Sequence, residues 1–502
     1  MSKILHGGRL SNVREDVAKF TSSIKDDARL LNAVIAINKA HVVMLTEQKI
    51  ISKDDGAKLL AALVKNSEMT LDSSMEDAHM AVEEAILKDA GAEAGGNLHI
   101  AKSRNDQVTT AIRIQLRNEL IALMRSLAHV QDHLAEVAYD HQNTVILEYT
   151  HLQPAQPVTF AHYLLSYFDA LNRDMQRIQS AYTRVNLCPL GAGALATTSF
   201  TINRDRTAEL LGFKGLVENS VDAVGSRDFI VETVSALTLT ALTLSRFAED
   251  MIIWSSPDFG VVELPDEFTS TSSIMPQKKN PEVLEVIRAR ASYVLGNFVA
   301  CAAAVKSLPS TYNLDFQEVT PKLWDSIDIV KSSLDMVHKI LPKIKVTTDV
   351  SEKASSSFVA ATELANLLVR KYHVPFRTAH KVVGALVKSL IESKLTFADA
   401  SPKLLQKSAE ESAGIKLIIT AEDLADLSNP LKLVEACAVK GGPAPVEVKR
   451  ALAAREKQLL ATKSHISKID KELEESENKL GSIIQQYLPL VKRESGRFKN
   501  ST

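Results

Sequence analysis

The chain has 502 residues, of which 45% are hydrophobic, and its 59 lysines and arginines nearly balance its 61 aspartates and glutamates for a net charge of −2. This balance argues against nucleic-acid binding, which needs a basic surface. The three cysteines, Cys188, Cys301 and Cys437, lie far apart, which predicts reduced thiols in a cytoplasmic protein and gives no metal-type spacing.

The N-terminal residues and the most apolar segment both argue against a membrane partner. The first residues lack the apolar core of a signal peptide. Residues 229–254 are the most apolar stretch, but Glu232 and Arg246 interrupt it and leave fewer than the ~20 residues that span a bilayer. This segment therefore predicts a buried core helix.

Residues 1–104 are predicted to form an N-terminal domain of short helices. Ser52 provides a capping-type residue for one of them. The helices are expected at about 16–20, 26–46, 52–66 and 76–90.

Residues 105–350 are predicted to form an elongated bundle of five long helices. No glycine or proline occurs between Gly96 and Pro154, and apolar residues recur there with helical spacing. No segment carries a strand pattern, so the predicted fold class is all-α, with three helical domains. The other long helices are expected at about 159–186, 226–254, 281–306 and 321–340.

The helix at 226–254 is apolar around most of its circumference. Apolar residues occur on several faces, among them Phe229, Leu237, Leu242 and Phe247. A helix that is apolar all round must be covered on all sides, which the bundle of one chain does not readily provide. The pattern therefore predicts self-association of subunits through this region.

Residues 351–445 are predicted to form a small helical domain, and residues 446–502 a charged helical extension with a frayed tail. Glycines and prolines at 441–445 mark the break between them. The extension has two interpretations, a solvated helix or an interaction arm. Helices in the small domain are expected at about 360–372, 375–393, 397–400 and 421–427.

The segment 271–281 combines groups that elimination chemistry needs. Ser272 offers a hydroxyl, Lys278 and Lys279 offer cations, and Pro281 suits the first turn of a helix. The free N–H groups of that turn attract a carboxylate. A polar linker before a helix is the alternative interpretation of these residues.

This segment resembles the G-S-S-x-M-P-x-K-x-N loop of the fumarase/aspartase superfamily, whose members split C–N or C–O bonds and release fumarate. Its form Met-Pro-Gln-Lys-Lys-Asn-Pro is most similar to that of the argininosuccinate lyase family. Thr271 stands where the superfamily usually has glycine. Glycine permits loop conformations that are closed to threonine.

The segment 99–107 is similar to the H-T-G-R-S-R-N-D-Q segment of the same family. Isoleucine, alanine and lysine replace Thr, Gly and Arg at 100–102, and the Ser-Arg-Asn-Asp-Gln core at 103–107 is intact. An arginine can grip a carboxylate with two parallel hydrogen bonds. The resemblance implies that Arg104 and Asn105 contact the substrate.

A Thr-His pair, Thr150 and His151, precedes a proline-rich stretch. An isolated histidine is more often structural than catalytic, although imidazole titrates near neutral pH. The resemblance implies that this pair lines the active site. It also implies that Glu285, one helical turn after Pro281, pairs with His151 and orients its ring.

Shorter matches to the same family imply further substrate contacts. Ser23 and Asp27 lie in a stretch similar to one that closes over the ligand, and residues 308–318 are similar to a block characteristic of argininosuccinate lyases. The lysine that many members carry three residues after the glutamine of this block is Thr320 here, with Lys322 as a possible stand-in. The implied contacts are Ser23, Asp77, His79, Arg227, Asn280, Tyr312 and Gln317.

The resemblance implies an enzyme, a carbon–nitrogen lyase that eliminates fumarate from L-argininosuccinate and releases L-arginine without metal or cofactor. Ser272 is the candidate base, and His151 with Glu285 is the candidate acid, although the two roles can be exchanged. Lys278 and Asn280 would stabilise the carbanion in its aci-carboxylate form, where charge develops.

The resemblance also implies an assembly, because the motifs near 100, 150 and 280 lie on different long helices. Family members form homotetramers of D2 symmetry whose active sites each draw on three subunits. Two alternatives stay open: another fumarate-releasing lyase, such as adenylosuccinate lyase, and a non-catalytic structural relative like the lens crystallins of this family. The blocks at 312–317 and 99–107 argue against the first, and the retained catalytic candidates argue against the second.

Overall fold

The computed structural model describes residues 14–72, 75–347 and 350–497, with side chains up to residue 491, and helices dominate these ranges. The all-α class is therefore confirmed. The first helices are α1 (Glu15–Thr21), α2 (Ile24–Asp27), α3 (Leu31–Glu47), α4 (Lys53–Lys65), α5 (Ala78–Ala90) and α6 (Ala92–Gly96).

Five long helices form the centre of the molecule, as predicted. They occur in the series α7 (Arg104–Asp140), α8 (Phe160–Val185), α9 (Arg204–Leu210), α10 (Ser220–Gly225), α11 (Asp228–Trp254), α12 (Glu282–Val305) and α13 (Asp315–Ile340), of which α9 and α10 are short. The long members pack against one another, α11 on α12, α7 on α8 and α12 on α13 among them.

The helix α13 begins at Asp315, and the expected start at Pro321 is wrong. Pro321 lies inside the helix and not at its start. A proline there has no N–H to donate to the carbonyl oxygen of Gln317, four residues earlier. The carbonyl of Gln317 therefore lacks its usual intrahelical partner.

The C-terminal part is also helical, and some of its helices carry no clear sequence pattern. The expected helices at 360–372, 375–393 and 421–427 are present, and helices at 351–356, 402–413 and 430–435 were missed. The series is α14 (Ser351–Ser356), α15 (Ala361–Tyr372), α16 (Phe376–Glu392), α17 (Pro402–Ala413), α18 (Ala421–Leu427), α19 (Pro430–Glu435) and α20 (Pro445–Arg497).

Within the described ranges, short strands form three two-stranded pairs, which the sequence pattern did not predict. Prolines at 154 and 157 argue against a strand in this segment, because a proline is tolerated only at the edge of a sheet. The strands are β1 (Val145–Thr150), β2 (Gln153–Thr159), β3 (Val262–Glu263), β4 (Ser270–Thr271), β5 (Lys279–Asn280) and β6 (Lys345–Val346), and they pair as β1–β2, β3–β6 and β4–β5.

Two large apolar clusters make up most of the core. One contains buried side chains from Leu30 to Ile344 together with those of α20, and the other is confined to residues 360–433. The second cluster coincides with the predicted small domain at 351–445. The boundaries at residues 104, 350 and 445 stay predictions.

The helix α20 packs along α4 and α7, so it is not merely a solvated helix. The interaction-arm interpretation stays a prediction. Val448 and Ile466 are buried in the main core. Arg455 on this helix donates to Asp169 on α8 at 2.5 Å. The helix continues to Arg497, and residues 498–502 of the predicted frayed tail lie outside the described residues.

Two stretches, Ile24–Glu47 and Asp228–Trp254, are long and apolar enough by composition to cross a membrane. In each, most of the apolar window is buried in the fold, 67% and 56% respectively. Both therefore act as core helices here. The second, α11, still exposes Leu239 and Leu242.

Candidate active site

A cavity of about 410 Å³ lies between the N-terminal segment, the start of α7 and the start of α13. We call it the substrate pocket. The sequence-predicted residues that line it are Ser23, Asp77, Arg104, Arg227, Tyr312 and Gln317. Residues separated by up to 294 positions therefore meet in one cavity of one chain.

Asp77 and Arg104 lie where the helices α5 and α7 begin, and their side chains bond to each other at the pocket. Asp77 caps α5, where its Oδ1 accepts from Met80 N at 2.8 Å, and its Oδ2 accepts from Nη1 of Arg104. Ser103 caps α7 in the same way. Burial lowers the pKa of Arg104 to about 10, which still leaves the guanidinium charged at neutral pH.

The N-terminal segment is tied across the pocket by polar contacts. Ser23 Oγ donates to Asp27 Oδ2 at 2.9 Å, and the backbone N–H of Ala78 donates to the same oxygen at 3.2 Å. Burial raises the pKa of Asp27. Gln317 Nε2 donates to Thr21 O at 2.8 Å, so the segment is bonded to both α5 and α13.

Arg227 is a buried cation with unused donors. Its side chain is 2% exposed, its Nη1 donates to Ser226 O at 2.7 Å, and its guanidinium carbon lies 4.5 Å from the centre of the Phe316 ring. Nε and Nη2 have no hydrogen-bond partner among the described residues. A buried guanidinium of this kind suits a ligand carboxylate, because unsatisfied buried donors are costly.

Lys322, the possible stand-in for the family lysine, does not lie in the substrate pocket of its own chain. Thr320 lines the pocket, whereas Lys322 lies on an exposed face of α13 and does not line it. Two positions along a helix correspond to about 200° of rotation, which points the two side chains in nearly opposite directions. Arg104 and Arg227 are the cations that the described part of the pocket contains.

His79 and Asn105 do not line the pocket. His79 is 4% exposed, and burial, with the charge of Lys102 as a second cause, lowers its pKa to about 3, so the ring is neutral. Asn105 Nδ2 donates to Ala194 O at 3.1 Å, on the other side of the α7 start. The sequence also missed Lys102, which is buried, bonds to Asn38 Oδ1, and has its pKa lowered by burial to about 8.

Residues 271–280, the serine loop, project from the start of α12. Pairing of β4 with β5 brings the two ends of the loop together. Ser272 Oγ accepts from the backbone N–H groups of Ile274 at 3.3 Å and Met275 at 3.1 Å. Both donors stabilise negative charge on that oxygen.

The serine loop also contains Lys278, Lys279 and Asn280, and Thr271 stands there in place of the family's glycine. Lys279 Nζ donates to Asp266 at 2.6 Å, whereas Lys278 is exposed and forms no ion pair among the described residues. Asn280 Nδ2 donates to Ser270 Oγ at 3.4 Å. Thr271 lies in β4 and is absent from the positive-φ residues, so this conformation does not require glycine there.

Thr150 and His151 lie at the tip of the β1–β2 hairpin. Thr150 pairs with Gln153, which leaves His151 and Leu152 as a two-residue turn. Thr150 and His151 are both exposed. The region 150–153 is called the hairpin tip below.

One chain does not bring all the candidates together. His151 and Glu285, the expected pair, have no hydrogen bond or ion pair between them in the described residues, and Glu285 is exposed on α12. No residue of the serine loop or of the hairpin tip lines the substrate pocket.

Comparison with known proteins agrees with this architecture. A family model described as Lyase matches residues 9–296, and one described as Argininosuccinate lyase C-terminal matches residues 358–435. The chain is 42% identical over 487 residues to the argininosuccinate lyase of Methanocaldococcus jannaschii, covering 96% of this chain and 98% of that protein. It is 41% identical over 492 residues to that of Methanosarcina barkeri, covering 97% and 99%.

Solved structures give the same result for the fold. EDDS lyase in complex with formate matches with a TM-score of 0.87 and 30% identity over 93% of each chain. A class II fumarase from Schistosoma mansoni matches with a TM-score of 0.69 and 17% identity, covering 84% of this chain and 94% of that chain, which is a likeness of fold alone.

The helical bundle and the family matches define a lyase of the fumarase/aspartase superfamily. Within that superfamily, the chain belongs to the argininosuccinate lyase family. Because 96% of the chain aligns with the first relative, most of residues 446–502 are shared with it. The C-terminal extension is therefore not peculiar to this chain.

Proposed function

We propose that this enzyme catalyses the reversible β-elimination of L-argininosuccinate to L-arginine and fumarate, as a step of arginine biosynthesis in the cytoplasm. The observation that carries the proposal is the charge of the substrate pocket. Its lining contains five carboxylates, Asp26, Asp27, Glu76, Asp77 and Glu318, against the two arginines. Five carboxylates provide negative charge that complements the positively charged guanidinium and amino groups of the arginine portion of the substrate.

Arg227 completes recognition of the arginine portion. Arg227 lines the same cavity as the carboxylates, and its unpartnered donors Nε and Nη2 suit the α-carboxylate. Tyr312 and Gln317 would contact the same end of the substrate. Ser23, with Asp27, holds the N-terminal segment that closes the cavity.

The serine loop and the hairpin tip supply the chemistry. Ser272, with two backbone N–H donors on its Oγ, takes the Cβ proton, and the electron pair moves into the adjacent carboxylate to give the aci-carboxylate. Lys278, Asn280 and the start of α12 stabilise that dianion. The C–N bond then breaks, and His151, oriented by Glu285, protonates the leaving nitrogen.

The active form of the enzyme is a homotetramer in which each active site combines surfaces from three subunits. One subunit contributes Thr150 and His151, and another contributes the serine loop. The support is physical: apolar side chains stay exposed on the long helices α11 and α12. They are Leu239, Leu242, Val286, Tyr293, Leu295 and Val299. Packing of these faces between copies would bury them, as the all-round apolar pattern requires.

The test is fumarate absorbance with argininosuccinate as substrate, on the wild type, Ser272→Ala and Ser273→Ala. We expect Ser272→Ala to lower kcat by ~10²–10⁴-fold, the usual contribution of a general base. Ser273 is the matched control, because it is an adjacent and exposed serine. Equal activity of the two variants would remove Ser272 from the mechanism.

Two alternatives are separated by the same assay. Adenylosuccinate carries a phosphate, which a pocket lined by five carboxylates disfavours, and we expect no fumarate from it. A structural relative without activity would release fumarate from neither substrate. Fumarate from adenylosuccinate alone would replace the proposed substrate.

A further inference from the structure

The hairpin tip has an unusual backbone. Its two central residues, His151 and Leu152, have φ values of 54° and 58°. Positive φ at both central residues is the geometry of a type I′ turn, which favours Asn-Gly, Asp-Gly or Gly-Gly. A histidine and a leucine therefore occupy positions that suit other residues.

This choice of residues has an energetic cost. A non-glycine residue in the left-handed region is strained, because its Cβ lies too close to the following carbonyl oxygen. Strain of this kind persists where the surrounding structure or a function enforces it. A histidine there is accounted for by its proposed catalytic role, but Leu152 carries no reactive group.

Leu152 also gains little from its own chain. Its side chain is 61% exposed, although a leucine of the core would be almost fully buried. Burial of a leucine side chain is favourable enough to offset the strain of the turn. Contact with another molecule would supply what the single chain does not.

The base of the hairpin is rigid, so the tip is presented in a fixed direction. Ile146 and Leu147 are buried, and the ring of Tyr149 lies 4.9 Å from that of Phe259. A register shift between Glu148 and Tyr149 bends the strand just before the tip. A rigid hairpin with an apolar end suits insertion into a neighbouring surface.

We propose that Leu152 is a positioning residue, which seats the hairpin tip against a second copy of this chain and thereby fixes the His151 imidazole in that copy's active site. The partner is a second copy because neither the hairpin tip nor the serine loop lines the pocket of its own chain, and the long helices α11 and α12 leave apolar side chains exposed for association between copies. The inference rests on the proposed function and adds a residue that makes no contact with the reacting atoms.

The experiment compares Leu152→Asn, Leu152→Gly and Leu152→Met. Asparagine and glycine suit the left-handed turn better than leucine does, so neither perturbs the hairpin itself. Methionine keeps an apolar side chain of similar volume. Leu460→Asn is the matched control, because Leu460 is 67% exposed on α20, away from the hairpin.

For Leu152→Asn and Leu152→Gly we expect kcat to fall by about 10²-fold, since a misplacement of about 1 Å is enough for that loss. KM should change little, because the substrate pocket belongs to another chain. Leu152→Met should restore most of kcat. Leu152→Asn and Leu152→Gly should also dissociate more than the wild type on dilution in analytical ultracentrifugation. Leu460→Asn should match the wild type in every measurement.

Wild-type kcat and wild-type association in Leu152→Asn and Leu152→Gly would overturn the inference, as would an equal loss in Leu460→Asn. Failure of the proposed function is a different result, namely a wild-type protein that releases no fumarate from argininosuccinate. In that case the dilution measurement still decides whether Leu152 contacts a second copy.

Discussion

At the scale of single residues, the departures from the family pattern acquire physical explanations. Ala101 stands where the family has glycine, and its φ of 60° lies in the left-handed region, which explains the family's preference. Thr271 also replaces glycine, but it lies in an ordinary strand. Sequence comparison could not separate the two cases, because it does not reveal φ.

The buried histidines His41 and His79 predict loss of stability in acid. Burial lowers the pKa of both His41 and His79 from 6.5 to about 3. Between these values the unfolded chain binds protons that the folded chain does not, so stability falls as pH falls from 6.5 towards 3. Each imidazole contributes about 1.4 kcal/mol per pH unit over this range.

Thermal unfolding between pH 7 and pH 4 at fixed protein concentration measures this effect. The variant His79→Gln removes one of the two imidazoles, and we expect a shallower decline than in the wild type. His465→Gln, at an exposed position of α20, is the control. A decline in His79→Gln as steep as that of the wild type would contradict the assignment.

At the scale of elements, long helices were easier to predict than short ones. The helices α7, α8, α11 and α12 follow strong apolar periodicity and begin or end within a few residues of the expected positions. The hairpin β1–β2 was missed, although it carries two candidate residues. Its strands are short and proline-containing, so local preference is weak and tertiary packing decides the structure.

The helix α20 allows a test of its structural role. Ile466 is 4% exposed in the main core, whereas Leu460 on the same helix is 67% exposed. Truncation of a buried isoleucine typically costs about 2–5 kcal/mol, and an exposed change less than about 0.5 kcal/mol. We expect Ile466→Ala to lower the thermal midpoint clearly and Leu460→Ala to leave it unchanged, and equal midpoints would restore the solvated-helix interpretation.

At the scale of the whole molecule, the separation of the catalytic surfaces predicts complementation between inactive variants. Tetramers of Ser272→Ala and tetramers of His151→Asn should each be inactive, and asparagine keeps the left-handed turn at 151. If the serine loop and the hairpin tip of one site come from different chains, equal mixing leaves about a quarter of the sites with both groups intact.

The measurement is fumarate release after the two variants are dissociated together and reassembled. Recovery of about a quarter of wild-type activity is expected for random assembly. Each variant reassembled alone is the control. No recovery in a mixture that forms tetramers would place both groups of a site on one chain.

The sequence by itself determined the all-α class, the long central helices and the family, because apolar periodicity and contiguous motifs are local properties. It also named six residues that do line the pocket. Tertiary structure decided that Lys322 and His79 lie outside the pocket, that α20 belongs to the core, and that His151 occupies a left-handed turn. Each of these depends on the direction of a side chain or on contacts distant in sequence, and no local pattern contains that information.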